Sequence, residues 1–285
     1  MRLQRNENKT VAGGLAMAIT KVITLLRDFA EEATRLRKTY GKTELFSTSA
    51  QGLDAYLGGG FGRPDGYEIV LLFGPTKIGK SFVGLNFLRS AVEQGKKVGI
   101  MALEDDGPDV FLRFVDILGK EASEAYVMKG ETIFMMPPEA TRRAWKLDEL
   151  LELIESWYTN LGVDLILLDH LQFAFENAEA IRGENEYIQQ RVFMQRLNHL
   201  MKRMKKTIIL ISHVNKDAKA KGVYKIVGSS GIAAAATKIL EVSKDEGRLY
   251  LQEHGARFVA TPDAPHEIML DGTQLKDAIY GTHFS

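Results

Sequence analysis

The eight residues Gly74-Pro75-Thr76-Lys77-Ile78-Gly79-Lys80-Ser81 constrain this chain more than any other stretch. They follow Glu68-Ile69-Val70-Leu71-Leu72-Phe73, a run suited to a strand buried on both faces, and they open a segment from Lys80 with helical periodicity. A glycine-rich turn between strand and helix can curl so that successive backbone N–H groups face phosphate oxygens, with the positive end of the helix dipole added. Lys80 is then placed to reach terminal phosphates, and the Ser81 hydroxyl to take a magnesium ligand position. The expected ligands are therefore a nucleoside triphosphate and Mg2+.

At 285 residues the chain suits one large α/β domain with a short appendage. Lys+Arg and Asp+Glu both number 37, so any polyanion must be gripped by a local basic patch, because the molecule as a whole carries no net field. The absence of cysteine excludes disulfides, thiolate metal sites and a cysteine nucleophile, and fits a reducing interior. The apolar stretch at 11–30 is broken by Lys21, Arg27 and Asp28 and suits neither a membrane span nor a signal peptide, so a cytoplasmic location is expected.

Residues 11–40 read as one amphipathic helix, with Leu15, Ile19, Val22, Leu25, Leu26 and Phe29 at three-to-four spacing. Its stripe can pack on the chain's own core or dock on a neighbouring subunit. After Gly41, apolar runs at 67–73, 97–103, 132–136, 165–168, 207–211 and 238–242 alternate with helical segments at 80–94, 108–118, 147–158 and 187–204. That alternation predicts a parallel sheet with crossover helices. Terminal hairpins are expected beyond Gly247, with strands near 248–252 and 267–270.

Two acids complete the phosphate site. Val163-Asp164-Leu165-Ile166-Leu167-Leu168-Asp169 is an apolar strand that delivers Asp169 to its C-terminal edge, beside the metal position, while Asp164 lies at the opposite end. Gly99-Ile100-Met101-Ala102-Leu103-Glu104 puts Glu104 at the same edge, where a carboxylate can polarise an attacking water. Asp105 or Asp106 can fill that role instead, with Glu104 capping the next helix.

In this order the elements resemble the RecA-like branch of P-loop ATPases, in which the catalytic acid is on the strand neighbouring the loop. Ser47-Thr48-Ser49-Ala50-Gln51-Gly52-Leu53-Asp54, followed by Gly58-Gly59-Gly60, resembles the segment that precedes the loop strand in RecA, RadA and DnaB-type proteins. Asp169-His170-Leu171-Gln172 is similar to the end of the metal-acid strand of DnaB-type replicative helicases, and Ile208-Ile209-Leu210-Ile211-Ser212-His213 to their sensor strand. Gly228-Ser229-Ser230-Gly231 resembles their DNA-facing Ser-Gly loop, and Ala256-Arg257-Phe258 the late element that supplies an arginine finger to the next subunit. His213-Val214-Asn215-Lys216-Asp217 also resembles a segment of RadA-type branch-migration helicases. Two positions depart from the pattern: Gly228 stands where the family has the loop arginine, and Gly255 where it has a lysine.

The resemblance implies an α/β fold, a RecA-like P-loop NTPase core over 44–285 with a mainly parallel central sheet flanked by helices, preceded by an N-terminal linker helix over 1–43. It implies an ATP-dependent helicase or translocase on single-stranded DNA, assembled as a hexameric ring, with a loader or primase as further partners. In that scheme Gly74, Pro75, Thr76, Lys77, Ile78, Gly79 and Lys80 bind ATP, Ser81 and Asp169 hold Mg2+, Glu104 is the catalytic acid, His213 senses the terminal phosphate, and Arg257 completes a neighbour's site. A RecA/RadA-like recombination ATPase, and a regulatory ATPase of the clock-protein type acting on protein partners, are the alternatives.

The residues between 202 and 225 carry eight basic side chains against one acid, Asp217. Lys216, Lys219, Lys221 and Lys225 follow the sensor strand and suit sequence-independent contact with a DNA backbone, joined by Ser229 and Ser230 from the resemblance. The same lysines also suit a merely solvated loop, and Lys202 to Lys206 suit a helix C-terminus. His213 can be a core histidine, and Arg257 an ordinary surface pair.

Overall fold

The computed structural model describes residues 45–62, 66–127, 132–136, 145–171, 186–214, 229–256 and 261–278. The helix expected over 11–40 lies outside them. The described elements run α1 (Gln51–Tyr56), β1 (Glu68–Gly74), α2 (Lys80–Glu93), β2 (Val98–Ala102), α3 (Gly107–Leu118), α4 (Lys120–Val127), β3 (Ile133–Met135), α5 (Leu147–Asn160), β4 (Leu165–Asp169), α6 (Glu186–Met204), β5 (Thr207–His213), α7 (Ser229–Ala235), β6 (Lys238–Asp245), β7 (Arg248–Ala256), β8 (His266–Asp271) and β9 (Gln274–Asp277).

The nine strands among the described residues belong to one sheet in the order β3-β2-β4-β5-β1-β6-β7-β8-β9. From β3 to β6 every pairing is parallel. The remaining three are antiparallel, so the expected terminal hairpins continue the same sheet. This is the anticipated α/β fold. One expectation from the resemblance is overturned. The strand leading to Glu104 does not neighbour the loop strand, because β1 pairs with β5 and β6 while β2 pairs with β3 and β4. Crossover helices, rather than strand adjacency, bring Glu104 toward the loop.

The central strands are apolar at both side-chain parities because both faces of the sheet are covered. Ile69, Leu71 and Phe73 pack with Ile166, Leu168, Ile208 and Leu210 against α5, α6 and α7. Val70 and Leu72 pack with Ile100, Leu167, Ile209 and Ile211 against α1, α2 and α3. On the second face Phe61 stacks on Phe87, ring centroids 4.6 Å apart, and both are fully buried. Truncating such a ring to Ala costs about 3–5 kcal/mol.

Polar ties lock the segments around the sheet. Asp54 accepts hydrogen bonds from Ser47 Oγ (2.5 Å), Thr48 N (2.6 Å) and Thr48 Oγ1 (2.7 Å), which folds the chain before α1 into a fixed turn. At the other end of the sequence, Asp277 of β9 accepts from the N–H groups of Gly52 and Leu53, at 2.6 and 2.7 Å, and so caps α1. The β8–β9 turn is held to two helices: Asn86 of α2 donates to Thr273 O (3.2 Å) and accepts from Leu275 N (2.9 Å), while Thr273 Oγ1 donates to Asp116 O of α3 (2.9 Å). No helix among the described residues is long and apolar enough to cross a membrane.

Candidate active site

The loop joins β1 to α2 at the C-terminal edge of the sheet, where ligands of open α/β folds bind. Gly74 is needed for close approach: a Cβ there would meet the Val242 carbonyl oxygen at 2.3 Å. Gly79 sits at φ 108°, in the left-handed region, and a Cβ there would point into open space. Its conformation turns the chain into α2 and leaves the concave side of the loop clear.

Lys80 is the first residue of α2 and only 4% exposed. Its ammonium donates to the carbonyls of Gly74 (2.9 Å) and Pro75 (2.8 Å). Burial draws its pKa down to about 8, against the opposing pull of the Asp169 and Glu104 carboxylates. Ser81 donates a hydrogen bond to Asp169, whose buried carboxyl is pushed up to about 6 because desolvation outweighs that bond.

Asp169 ends β4 opposite Ala102 of β2. The N–H of Leu103 donates to the Asp169 carbonyl oxygen at 2.6 Å, so the chain leaves β2 alongside β4 and presents Glu104 there. Glu104 Oε2 lies 3.3 Å from His170 Nε2 and 3.7 Å from His213 Nε2. Burial raises its pKa, and the neighbouring Asp105 raises it further. The competing acids are otherwise placed. Asp105 is paired to Arg113 at 2.5 Å, and Asp106, not Glu104, occupies the N-cap of α3.

His213 ends β5 directly opposite Gly74 of β1. Its Nδ1 lies 3.3 Å from Lys80 Nζ and 3.5 Å from Thr76 Oγ1, and its ring meets that of His170 edge-on at 4.1 Å. Burial lowers His213 to about 4, assisted by Lys80, and lowers His170 to about 3, assisted by His213 and Lys80. Both rings are neutral at ordinary pH.

Thr76, Lys77, Gly79, Lys80, Ser81, Glu104, Asp105, Arg113, Asp169 and His213 thus line one cavity of about 400 Å³, with Phe82, Leu85 and Ile211 as apolar wall. For Mg2+ the donor set fits. Ser81 and Asp169 offer two hard oxygens already within hydrogen-bonding reach, and the Asp169 carboxylate carries a desolvation cost that a cation relieves.

The sequence reading overlooked His170 as a contributor. Its signal was the position directly after Asp169, at the end of a buried strand beside the sensor strand. Arg113 was also missed, since only the turn of α3 brings it back over Asp105.

The expected DNA contacts fare differently. Lys216, Lys219, Lys221, Lys225 and Arg257 lie outside the described residues. Ser229 and Ser230, expected in a loop, open helix α7. Three residues of the 202–206 cluster face the chain itself. Lys202 lies over the Tyr67 ring, Arg203 pairs with Glu155, and Lys206 pairs with Asp164.

Comparison with known proteins bears on the same core. No curated protein sequence matches the chain. Among solved structures, the KaiC-like protein PH0186 from the hyperthermophilic archaeon Pyrococcus horikoshii OT3 superimposes with a TM-score of 0.62 over 81% of this chain and 97% of that one, at 18% identity. That likeness concerns the fold. A family model described as "ATPase: KaiC" matches residues 46–253, which takes in the loop, Glu104, Asp169 and His213. The chain belongs to the KaiC ATPase family.

Proposed function

We propose that the chain hydrolyses ATP with Mg2+ at this cavity. One observation carries the reading: a lysine and a hydroxyl from the start of α2, and two carboxylates and a histidine from the ends of β2, β4 and β5, converge on the loop that follows β1. Ser81 and Asp169 would hold Mg2+, which when bound would neutralise charge on the terminal phosphates. Lys80 exchanges two neutral carbonyl acceptors for charged phosphate oxygens, a stronger hydrogen-bonding partnership. Glu104 orients the attacking water and accepts its proton as the new O–P bond forms and the bond to the departing diphosphate oxygen breaks. His170 and His213, both neutral, flank that carboxylate and fix its position.

For the work that hydrolysis drives, the proposal is movement along single-stranded DNA by a DnaB-like helicase acting in replication. Copies of the chain would form a ring in which Arg257 completes the adjacent site, with a loader or primase as further partners. The support is chain continuity: β5 leads from His213, inside the cavity, into the segment carrying Lys216, Lys219, Lys221 and Lys225. A second reading, a regulatory ATPase acting on a protein partner, is favoured by the family match and by the internal pairing of Lys202, Arg203 and Lys206.

The test is the steady-state ATPase rate with and without single-stranded DNA, with Lys80→Ala as the blank and native mass for assembly. Several-fold stimulation of a hexamer supports translocation. An active, folded protein indifferent to DNA overturns it in favour of the second reading, and a rate no higher than that of Lys80→Ala overturns hydrolysis itself.

A further inference from the structure

Two imidazoles and a carboxylate stand together beside the Mg2+ position. The ligand-capable atoms of Glu104, His170 and His213 all lie within 4.8 Å of one another. Glu104 Oε2 is 3.3 Å from His170 Nε2 and 3.7 Å from His213 Nε2. Donors about 2.1 Å from a tetrahedral ion are spaced roughly 3.4 Å from each other, so both distances suit a single shared ion. The three residues follow or end β2, β4 and β5, neighbours in the hydrogen-bonded sheet, so the backbone ladder fixes their spacing. Glu104 and His213 line the cavity, which gives an ion a way in.

We propose that Glu104, His170 and His213 form a binding site for a borderline divalent transition ion of the Zn2+ class, separate from the Mg2+ position at Ser81 and Asp169. Two nitrogens and one carboxylate oxygen, with a fourth position open, form a donor set for such an ion, whereas Mg2+ prefers oxygen alone. Ligation through Nε2 of His213 leaves Nδ1–H to donate to Thr76 Oγ1, 3.5 Å away. Lys80, now 3.3 Å from that Nδ1, gives up this contact and bonds the Gly74 and Pro75 carbonyls while the loop is empty, or phosphate oxygens once nucleotide is bound. An ion so held takes the Glu104 carboxylate away from water, so occupancy switches hydrolysis off without emptying the phosphate loop. The switching rests on the role proposed for Glu104; the binding does not.

The full chain, stripped of metal by dialysis against a chelator, is titrated with Co2+ by its visible d–d absorption and with Zn2+ against a chromophoric chelator. One ion per chain is expected. Glu104→Ala and His213→Ala, both at partly exposed positions, and His170→Ala should each raise Kd at least tenfold. His199→Ala, on the exposed side of α6, should leave Kd unchanged. Failure of the folded chain to bind, or equal Kd for the chain and for His213→Ala, overturns the site. In Mg2+ buffer one equivalent of Zn2+ should cut turnover at least tenfold while binding of a fluorescent ATP analogue persists. Zn2+ binding without inhibition overturns the switch, whereas a metal-stripped chain that binds Zn2+ and never hydrolyses ATP counts against the hydrolase reading and leaves the ion site standing.

Discussion

The Leu103 N–H donates to the Asp169 carbonyl oxygen at 2.6 Å, a bond made just beyond β2, where the next residue is Glu104. Two acids far apart in sequence are thereby held at adjacent strand ends, the one proposed to hold a metal and the other to orient a water. Glu104→Gln keeps the shape of the side chain but removes the proposed base. Turnover should fall by about 10²–10⁴, the usual contribution of a positioned base, with ATP affinity changed only a few-fold. Single-turnover hydrolysis alongside equilibrium binding separates the two effects.

Nucleotide affinity should show two pH limits. Lys80 titrates at about 8, so its charge, and with it phosphate binding, is lost as pH rises through that value. Asp169 titrates at about 6, so below it the carboxyl takes up a proton and Mg2+ loses its ligand. His170, at about 3, and His213, at about 4, add no step between. Binding of Mg2+ and ATP analogue measured from pH 5 to 9.5 should plateau near neutrality and fall on both sides.

Asp169→Asn should raise the melting temperature of the ligand-free protein while abolishing Mg2+-dependent nucleotide binding. The folded-state pKa lies above the ordinary value of 3.8, so burial favours the protonated form and the ionised carboxylate destabilises the fold at neutral pH. The amide oxygen can still accept from Ser81. Scanning calorimetry without and with Mg2+ and ATP checks both halves, and a stabilising effect of Mg2+ and ATP on the variant would refute the metal assignment.

Away from the cavity, Lys238 and Glu253 form a buried pair 3.6 Å apart, at 3% and 1% exposure. Lys238 also donates to the carbonyls of Leu57 (2.9 Å) and Gly60 (3.3 Å), while neither Glu253 carboxylate oxygen has a short hydrogen bond. Lys238→Met strands a buried carboxylate and should cost about 3–5 kcal/mol. Lys238→Met with Glu253→Leu should recover most of it, and a denaturant double-mutant cycle measures the difference.

Asp277→Ala should lower stability by about 1–2 kcal/mol, the scale of a lost helix cap. Burial works to raise the Asp277 pKa, but bonds from His266 and from the Gly52 and Leu53 N–H groups together hold it below the usual value. A depressed folded-state pKa means that the contribution is present above the ordinary pKa of 3.8 and is lost as pH falls through the folded value. The difference between Asp277→Ala and the unaltered chain in urea should therefore shrink in strong acid.

Much of this architecture was legible because the central strands carry unbroken apolar runs, which only a sheet covered on both faces can bury. Ile69 to Phe73 and Leu165 to Leu168 announced themselves in that way, and each ended at a residue whose chemistry pointed to phosphate or metal. Strand order was less legible, because the sequence records succession while crossover helices decide adjacency. Hence β2 was placed beside β1 although β4 and β5 intervene. Short elements escaped for a different reason: β9 holds only four residues and is tied down by a distant partner, Asn86, while the eight residues of α4 follow α3 after the single residue Gly119. His170 was marked only by its place directly after Asp169, and it acquires its surroundings when β4 lies next to β5.

The β8–β9 turn touches the helix that begins at Lys80 and also the helix that follows Glu104. Those helices descend from the two halves of the cavity, so a turn almost two hundred residues downstream of the phosphate loop acts as a brace setting how far the halves can spread. Clipping the chain before Thr273 would leave every residue of the cavity present and remove the strut that holds its walls at a fixed width.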